Sequence, residues 1–434
     1  MATKNIKKIY IRYVSLNIIG MIGLSCNILA DTFFIAQGVG SIGLAALNIA
    51  IPIYSFIHGA GLMIGMGGAI RFTLTKANTI FTQSIYYASI MSVIFLLLGL
   101  SFSVPLSTML GADAVTLANT STYLKIILCF APFFILNNIL ICFVRNDNNP
   151  QLSMIAMLAG SLSNIILDFI FIFPLGLGMF GAAFATGLSP CISLLILSNH
   201  FFKKKNTFKL QKCMLHLKSI VDISCLGFSA LITELSSGIV IIVFNILILN
   251  IAGNIGVAAY GIIANITLVV LAIFTGISQG MQPLISNSFK ENNRHHLKKL
   301  LKYGTITTLI ISIITYLISI LYAEIIVSFF NSEANLELAK IAVNGLQIYF
   351  TAFSFVGINI LICAFFSSVD KPKYASIISM LRGFIIIIPV AFILSSQFGL
   401  NGVWMTLTVT EIIVLIISFT LLYRNKGLIT CDQK

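Results

Sequence analysis

The sequence predicts an all-α polytopic membrane protein, with twelve transmembrane helices forming two six-helix lobes related by a pseudo-twofold axis along the membrane normal. Three observations predict it. Of 434 residues, 58% are hydrophobic and 9% charged, whereas a soluble domain carries about 25% charged residues. The apolar runs exceed about 18 residues and lack strand-like alternation, so they read as helices and not as a barrel. The two halves of the chain also repeat one another's motifs in order.

The apolar runs place spans at roughly 10–35, 46–71, 82–104, 118–144, 152–173, 179–201, 219–250, 255–286, 302–323, 338–366, 375–395 and 399–423. The run after the short basic segment Met1 to Tyr10 continues to Ile35, long enough to span and too long for the core of a cleavable signal. Basic residues then fix the topology. Lys4, Lys7, Lys8 and Arg12 precede span 1, Arg71 and Lys76 follow span 2, and Arg145 follows span 4. Six lysines from Lys203 to Lys218 join spans 6 and 7, Lys290 to Lys302 carry five bases between spans 8 and 9, Lys371 and Lys373 join spans 10 and 11, and Arg424, Lys426 and Lys434 follow span 12. That puts 23 of the 26 Lys and Arg on one side. Lys125, Lys340 and Arg382 fall elsewhere, with Arg382 expected to snorkel back from span 11. The opposite loops carry Asp113, Glu324, Glu333 and Glu337. The positive-inside rule places both termini in the cytoplasm. The net charge of +13 is thus a topology signal, and no nucleic-acid partner is expected. Eight cysteines, among them Cys142, Cys363 and Cys431, show no C-x-x-C spacing and read as free thiols in apolar surroundings.

The polar stretch 203–218 divides the chain into an N-terminal lobe, 1–202, and a C-terminal lobe, 219–434. Gly40-S-I-G-L-A-Ala46 matches Gly253-N-I-G-V-A-Ala259. Gly61, Gly65, Met66 and Asn78 match Gly276, Gly280, Met281 and Asn293 at one offset. Asn138-I-L-I-Cys142 recurs as Asn359-I-L-I-Cys363. Pro150 matches Pro372, and Gly181 matches Gly402. An even number of spans per repeat makes both halves enter from the same side, the parallel-repeat arrangement of transporters with a midplane cavity.

Within the stretch Asn164 to Thr186, Asn164 and Asp168 stand four apart and share a helix face. Pro174 and the glycines at 176, 178 and 181 turn the chain before Thr186. A carboxylate in lipid costs about 3 kcal/mol on insertion scales and marks a functional site by default. Counting about 1.5 Å per residue, Asp31, Asp168 and Thr186 lie at similar depth in the outer half of the first lobe, with Asn164 one turn deeper. Two carboxylates, an amide and a hydroxyl are hard oxygen ligands that suit Na⁺ or a shared proton. Glu234, mid-span in helix 7, is again costly and is expected to face a cavity. Glu411 in span 12 is a weaker case. Gln279 and Gln282 offer neutral hydrogen bonds in span 8, and the paired glycines 61/65 and 276/280 read as close helix contacts. No H-E-x-x-H, G-x-G-D or nucleotide-binding loop is present, so the sequence indicates neither an enzyme, nor a metal beyond Na⁺ at Asp31, Asn164, Asp168 and Thr186, nor a cofactor, nor direct use of ATP.

The twelve spans, G-x-I-G-x-A-A, S-Q-G-M-Q-P (Ser278 to Pro283), R-N-D-N-N-P (Arg145 to Pro150), N-x-x-x-D and G-A-A-x-A-T (Gly181 to Thr186) together resemble the multidrug and toxic compound extrusion (MATE) transporters of prokaryotes, over nearly the whole chain. That resemblance implies a monomeric efflux antiporter in the bacterial cytoplasmic (inner) membrane. It would expel bulky organic cations or amphipathic compounds in exchange for H⁺ or Na⁺. Asp31, Asn164, Asp168 and Thr186 match the family's N-lobe cation site. The helix-7 acid of a C-lobe site is matched by Glu234, but span 10 has no acid to pair with it. The alternative is a lipid-linked oligosaccharide flippase or polysaccharide exporter of the wider superfamily, which the scarcity of intramembrane bases argues against.

Overall fold

The computed structural model describes residues 6–330 and 335–428; Lys4, Glu333, Cys431 and Lys434 lie outside them. The described residues are almost wholly helical. The chain runs through α1 (Ile6–Gly38), α2 (Ser41–Thr75), α3 (Asn78–Met109), the bent pair α4 (Leu117–Cys129) and α5 (Ala131–Asn146), α6 (Pro150–Ile172) and α7 (Gly178–Phe202). It continues through α8 (Leu217–Lys290), α9 (Arg294–Leu321), α10 (Ala323–Phe330), α11 (Leu336–Tyr349), α12 (Phe353–Ser368), α13 (Pro372–Met380) and α14 (Ile387–Arg424). The long helices are apolar enough to cross a membrane, and α4 and α5 pass that test as one span bent by 49°. Large apolar side chains such as Leu97, Leu100, Ile313 and Ile416 are exposed, as a lipid-facing surface requires. The protein is therefore an all-α, multi-pass membrane protein.

The internal repeat is written into the backbone. Gly40 caps the start of α2 with φ 84°, and Gly253 kinks α8 with φ 62°. Both are the first glycine of the repeated G-x-I-G-x-A-A, and both adopt a positive φ that costs a side chain-bearing residue about 1–2 kcal/mol. Gly178, which opens α7 (φ 52°), and Gly399, which kinks α14 (φ 56°), form a second such pair. α8 and α14 are thus each two helices meeting at a glycine.

The chain forms two compact units, Ile19–Leu235 and Met1–Ile18 with Ser236–Lys434. In the first, residues 217–235 of α8 lie directly on α2. A Cβ on Gly67 would fall 2.0 Å from the Ile223 carbonyl oxygen, and one on Gly227 would fall 1.9 Å from that of Met63. In the second, the start of α1 lies on the later part of α8. A Cβ on Gly276 would fall 2.7 Å from Ile18 Cα, and one on Gly280 would fall 2.9 Å from the Tyr13 oxygen. A Cβ on Gly65 would likewise fall 2.8 Å from the Asn138 oxygen of α5. The paired glycines are close helix contacts, as the spacing predicts.

The linker after α7 is docked on the first unit. Thr207 N donates to Asp147 Oδ2 at 2.7 Å, the Thr207 hydroxyl donates to Oδ1, and His200 Nε2 lies 2.9 Å from Oδ2. Phe208 is fully buried, packing on Phe81, Phe143, Phe201 and the His200 ring. Burial opposes the Asp147 charge, but hydrogen bonds from His200 and Thr207 outweigh it and hold the carboxyl below the usual carboxylate range. Asp147→Asn should therefore destabilise the purified protein by about 1–3 kcal/mol at neutral pH. Because the folded value is depressed, the wild-type advantage is complete above the unfolded value of about 3.9, declines below it, and is gone once pH has fallen through the folded one. Thermal unfolding of both proteins in detergent across pH 3–7 checks this; a difference that vanishes already at pH 6 contradicts it.

Candidate functional site

Four of the residues singled out from sequence lie in the first unit, on three helices. Asp31 is on α1, Asn164 and Asp168 are one turn apart on α6, and Thr186 is on α7. α6 and α7 are joined by the glycine turn and pack along their lengths. Gly20 and Gly23 let α1 approach α6, where their Cβ positions would meet Met157 and Leu158. Asn164 and Asp168 are fully buried, Asp31 and Thr186 nearly so. Asp31 acts electrostatically on Asp168, so the two carboxyls share one environment.

Their oxygens are conspicuously unpartnered. Asp31 Oδ1, Asn164 Oδ1 and both Asp168 oxygens are buried without a hydrogen-bond partner. The Thr186 hydroxyl donates to the Ala182 carbonyl at 3.0 Å, which leaves its lone pairs as acceptors. A buried carboxylate oxygen without a partner costs more than an amide in the same place. The donor set is all hard oxygen with two acids, and it fits a monovalent cation such as Na⁺ or one or two protons.

Three residues join the set that sequence reasoning did not select. Tyr123 of α4 lies within hydrogen-bonding reach of Thr186 and within the electrostatic reach of both Asp31 and Asp168. Tyr54 of α2 lies within electrostatic reach of Asp31 and Glu234. His58 stacks on Tyr54 with ring centroids 6.1 Å apart, and its Nδ1 stands 3.5 Å from Glu234 Oε2. Glu234 therefore belongs to the first unit and is 30% exposed, beside a histidine. His58, a histidine inside an apolar span, was a visible signal; Tyr54 and Tyr123 were not, since most buried tyrosines are packing residues.

The remaining candidates lie in the second unit. Gln279 and Gln282 of α8 are buried, and Gln282 Nε2 is 3.4 Å from the Ser286 hydroxyl. Arg382 does not snorkel. It sits in a π-helical turn, Leu381–Ile385, and grips Glu411 with Nε at 2.8 and 3.1 Å and a terminal nitrogen at 2.8 Å. Asn359 Nδ2 adds a 2.7 Å bond to Glu411 Oε2. The expectation of a basic side chain reaching for the interface fails because a buried carboxylate lies nearer than the interface. Glu411 accordingly reads as a structural counterion.

The MatE family model matches residues 17–170 and 229–393, so the chain belongs to the MATE family, a family of transporters and not of enzymes. The multidrug export protein MepA of Staphylococcus saprophyticus is 29% identical over 399 residues, covering 90% of this chain and 87% of that protein. MepA of Staphylococcus aureus strain MRSA252 is 28% identical over 411 residues, covering 93% and 90%. The fold matches an outward-facing multidrug resistance MATE transporter of the MOP superfamily with TM-score 0.88 at 22% identity, over 98% of this chain and 97% of that one. It also matches a MATE transporter in complex with MaD3S, with TM-score 0.89 at 22% identity over 98% and 97%. A Pyrococcus furiosus MOP transporter, whose binding pocket is described as of reverse polarity and whose function is suggested to differ, matches with TM-score 0.89 at 23% identity over 99% and 98%.

The Arg382–Glu411 pair carries a prediction. Glu411→Gln leaves a guanidinium buried beside a neutral group and should cost about 3–5 kcal/mol, whereas Arg382→Met with Glu411→Leu should be near neutral. Thermal unfolding in detergent separates the two. A double variant as damaged as the single one would show that the pair does more than balance charge.

Proposed function

We propose that this protein is a secondary active multidrug efflux antiporter, exporting cationic or amphipathic organic compounds in exchange for H⁺ or Na⁺ by alternating access. The observation that carries the proposal is the set of buried, unpartnered oxygens on Asp31, Asn164 and Asp168. A site of this kind is stable only when a cation or proton neutralises it, so its occupancy can be linked to conformation. Expelling a monovalent organic cation from a negative-inside cell costs about 2.3 kcal/mol per 100 mV, and inward passage of one H⁺ or Na⁺ returns the same amount before its own gradient is counted.

In this reading each half of the chain supplies six spans, with kinks at Gly253 and Gly399 serving as the turns between spans 7 and 8 and between 11 and 12. The proposed lobes follow the halves, 1–202 and 219–434, with both termini in the cytoplasm; the compact units differ from them in exchanging residues 1–18 and 219–235. The chain passes between compact units near residues 18 and 235, in the first helix of each repeat, which suits those helices to bend as the lobes move. Glu234, with His58, is the counterion that a cationic substrate would meet; Gln279 and Gln282 are auxiliary. The export role of the staphylococcal MepA relatives points the same way. The flippase alternative calls for a strongly cationic interior, and Arg382 is neutralised by Glu411.

Ethidium efflux from cells carrying wild type, Asp31→Asn or Glu234→Gln tests the proposal, with the pH and Na⁺ gradients collapsed separately. Asp31→Asn should fall to the background of cells lacking the chain at equal expression. Glu234→Gln should raise the ethidium concentration at half-maximal rate more than it lowers the maximal rate. The ionophore that stops wild-type efflux identifies the coupling ion. Undiminished pumping by Asp31→Asn would remove that residue from the coupling site.

A further inference from the structure

Beneath the linker, on the first unit, lies a half-open groove of about 360 Å³, at the small end of the about 300–1,000 Å³ of ligand pockets. Its walls include Phe81 of α3, Leu136 and Leu140 of α5, and Phe201 of α7, and the two polar residues lining it are Asn206 and Lys209. We infer that this groove binds an anionic phospholipid, one acyl chain lying on the apolar wall and the phosphate held by Lys209 and by Lys203, Lys204 and Lys205, which follow α7.

The linker that closes the groove is fixed in place. Lys209 N donates to Asn78 Oδ1 at 3.1 Å, Gln211 N donates to the Thr82 hydroxyl at 2.9 Å, and Asn206 Nδ2 donates to the Phe208 carbonyl at 2.8 Å. With Phe208 buried below and Thr207 bound to Asp147, the backbone on either side of Lys209 is anchored, so a ligand meets a preformed wall. The charge is of one sign. Lys203, Lys204, Lys205, Lys209 and Lys212 are all exposed, and no acidic residue occurs between Asp168 and Asp222. The nearby Asp147 already accepts from His200 and Thr207.

Apolar side chains accompany these bases: Phe202 and Met214 are 81% exposed and Leu210 is 69% exposed. Lysines interleaved with exposed apolar side chains beside an apolar groove match a lipid in both its parts, tail and headgroup. A soluble anion would use the lysines alone and leave the groove bare. The inference needs the proposed topology only to place the lipid in the cytoplasmic leaflet; binding itself can be tested without it and without transport.

Native mass spectrometry of the detergent-purified protein, equilibrated with equal amounts of phosphatidylglycerol and phosphatidylcholine of the same chains, tests the inference. The wild type should retain one phosphatidylglycerol in preference to phosphatidylcholine. Lys209→Gln should cut that preference about fivefold, the factor equal to ~1 kcal/mol per lysine near an anionic lipid. Leu136→Trp, which fills the groove, should abolish retention of the bound lipid while a thermal melt confirms folding. Equal retention of the two lipids by the wild type overturns the inference, as does retention indifferent to Leu136→Trp. If Leu136→Trp does not fold, Lys209→Gln on the exposed linker decides: an unchanged preference rejects the site. Inorganic phosphate that displaces the lipid from wild type without any effect of acyl length would reduce the site to a plain anion patch and also overturn it.

Discussion

An unneutralised carboxylate in an apolar helix bundle is the constraint on which this structure turns. Asp31 and Asp168 are buried in the first unit with oxygens that no protein group satisfies. Elsewhere the fold satisfies its buried acids: Glu411 is held by Arg382 and Asn359, and Asp147 by His200 and Thr207. Leaving one pair unsatisfied costs stability that random substitution would readily regain by losing a charge. The arrangement makes physical sense if something else completes the pair for part of a cycle.

The second unit is the contrasting case built on the same repeat. Asn138 and Asn359 occupy matching places in the two halves. Asn138 donates to the His58 carbonyl at 3.2 Å, while Asn359 donates to Glu411. The repeat supplies the same scaffold twice, with positive-φ glycines at matching breaks and glycines that admit a crossing helix at backbone distance. What differs is the charge placed on it. One copy carries acids in excess, with a histidine at its edge; the other carries an acid and a base that cancel. If Asp31 and Asp168 form a coupling site, as proposed, symmetric frames with asymmetric charge would let one half respond to a cation while the other stays electrostatically inert.

Much of this was legible in the sequence because membrane burial leaves strong marks. Apolar run length locates the helices, and a lone acid within a run is too costly to be incidental. Asp31, Asn164, Asp168 and Thr186 could be grouped because depth counts in steps of one helix rise, and turn residues mark where counting begins. Side-chain partners across helices were not legible. Arg382 was read as snorkelling because its distance from Glu411, 29 residues on, depends on how two helices rotate about their axes and on a π-helical turn that shifts the register. Tyr54 and Tyr123 were passed over for the same reason: an apolar helix buries many rings, and only the packed structure says which one faces a carboxylate. Nor does a run of lysines reveal that the backbone at Lys209 is bonded to Asn78 at the start of α3.

Fold alone does not carry the functional reading. The same architecture, at equally high similarity, serves a transporter whose pocket is of reverse polarity and whose function is suggested to differ. The function proposed for this chain depends on the sign of its interior charge. Among the described buried acids, Asp31 and Asp168 have oxygens that no protein group satisfies, while Arg382 is paired with Glu411. An interior of that sign repels anions and stabilises cations over the short distances at which low dielectric makes charge count. On the proposed reading it would favour a coupling cation at the buried pair and a cationic or neutral cargo near Glu234, and disfavour a pyrophosphate-bearing lipid intermediate. Away from the acids, on the same two helices, Gly20 and Gly23 bring α1 against Met157 and Leu158 of α6. The proposed role thus turns on buried acids carried by helices whose glycines let them approach closely.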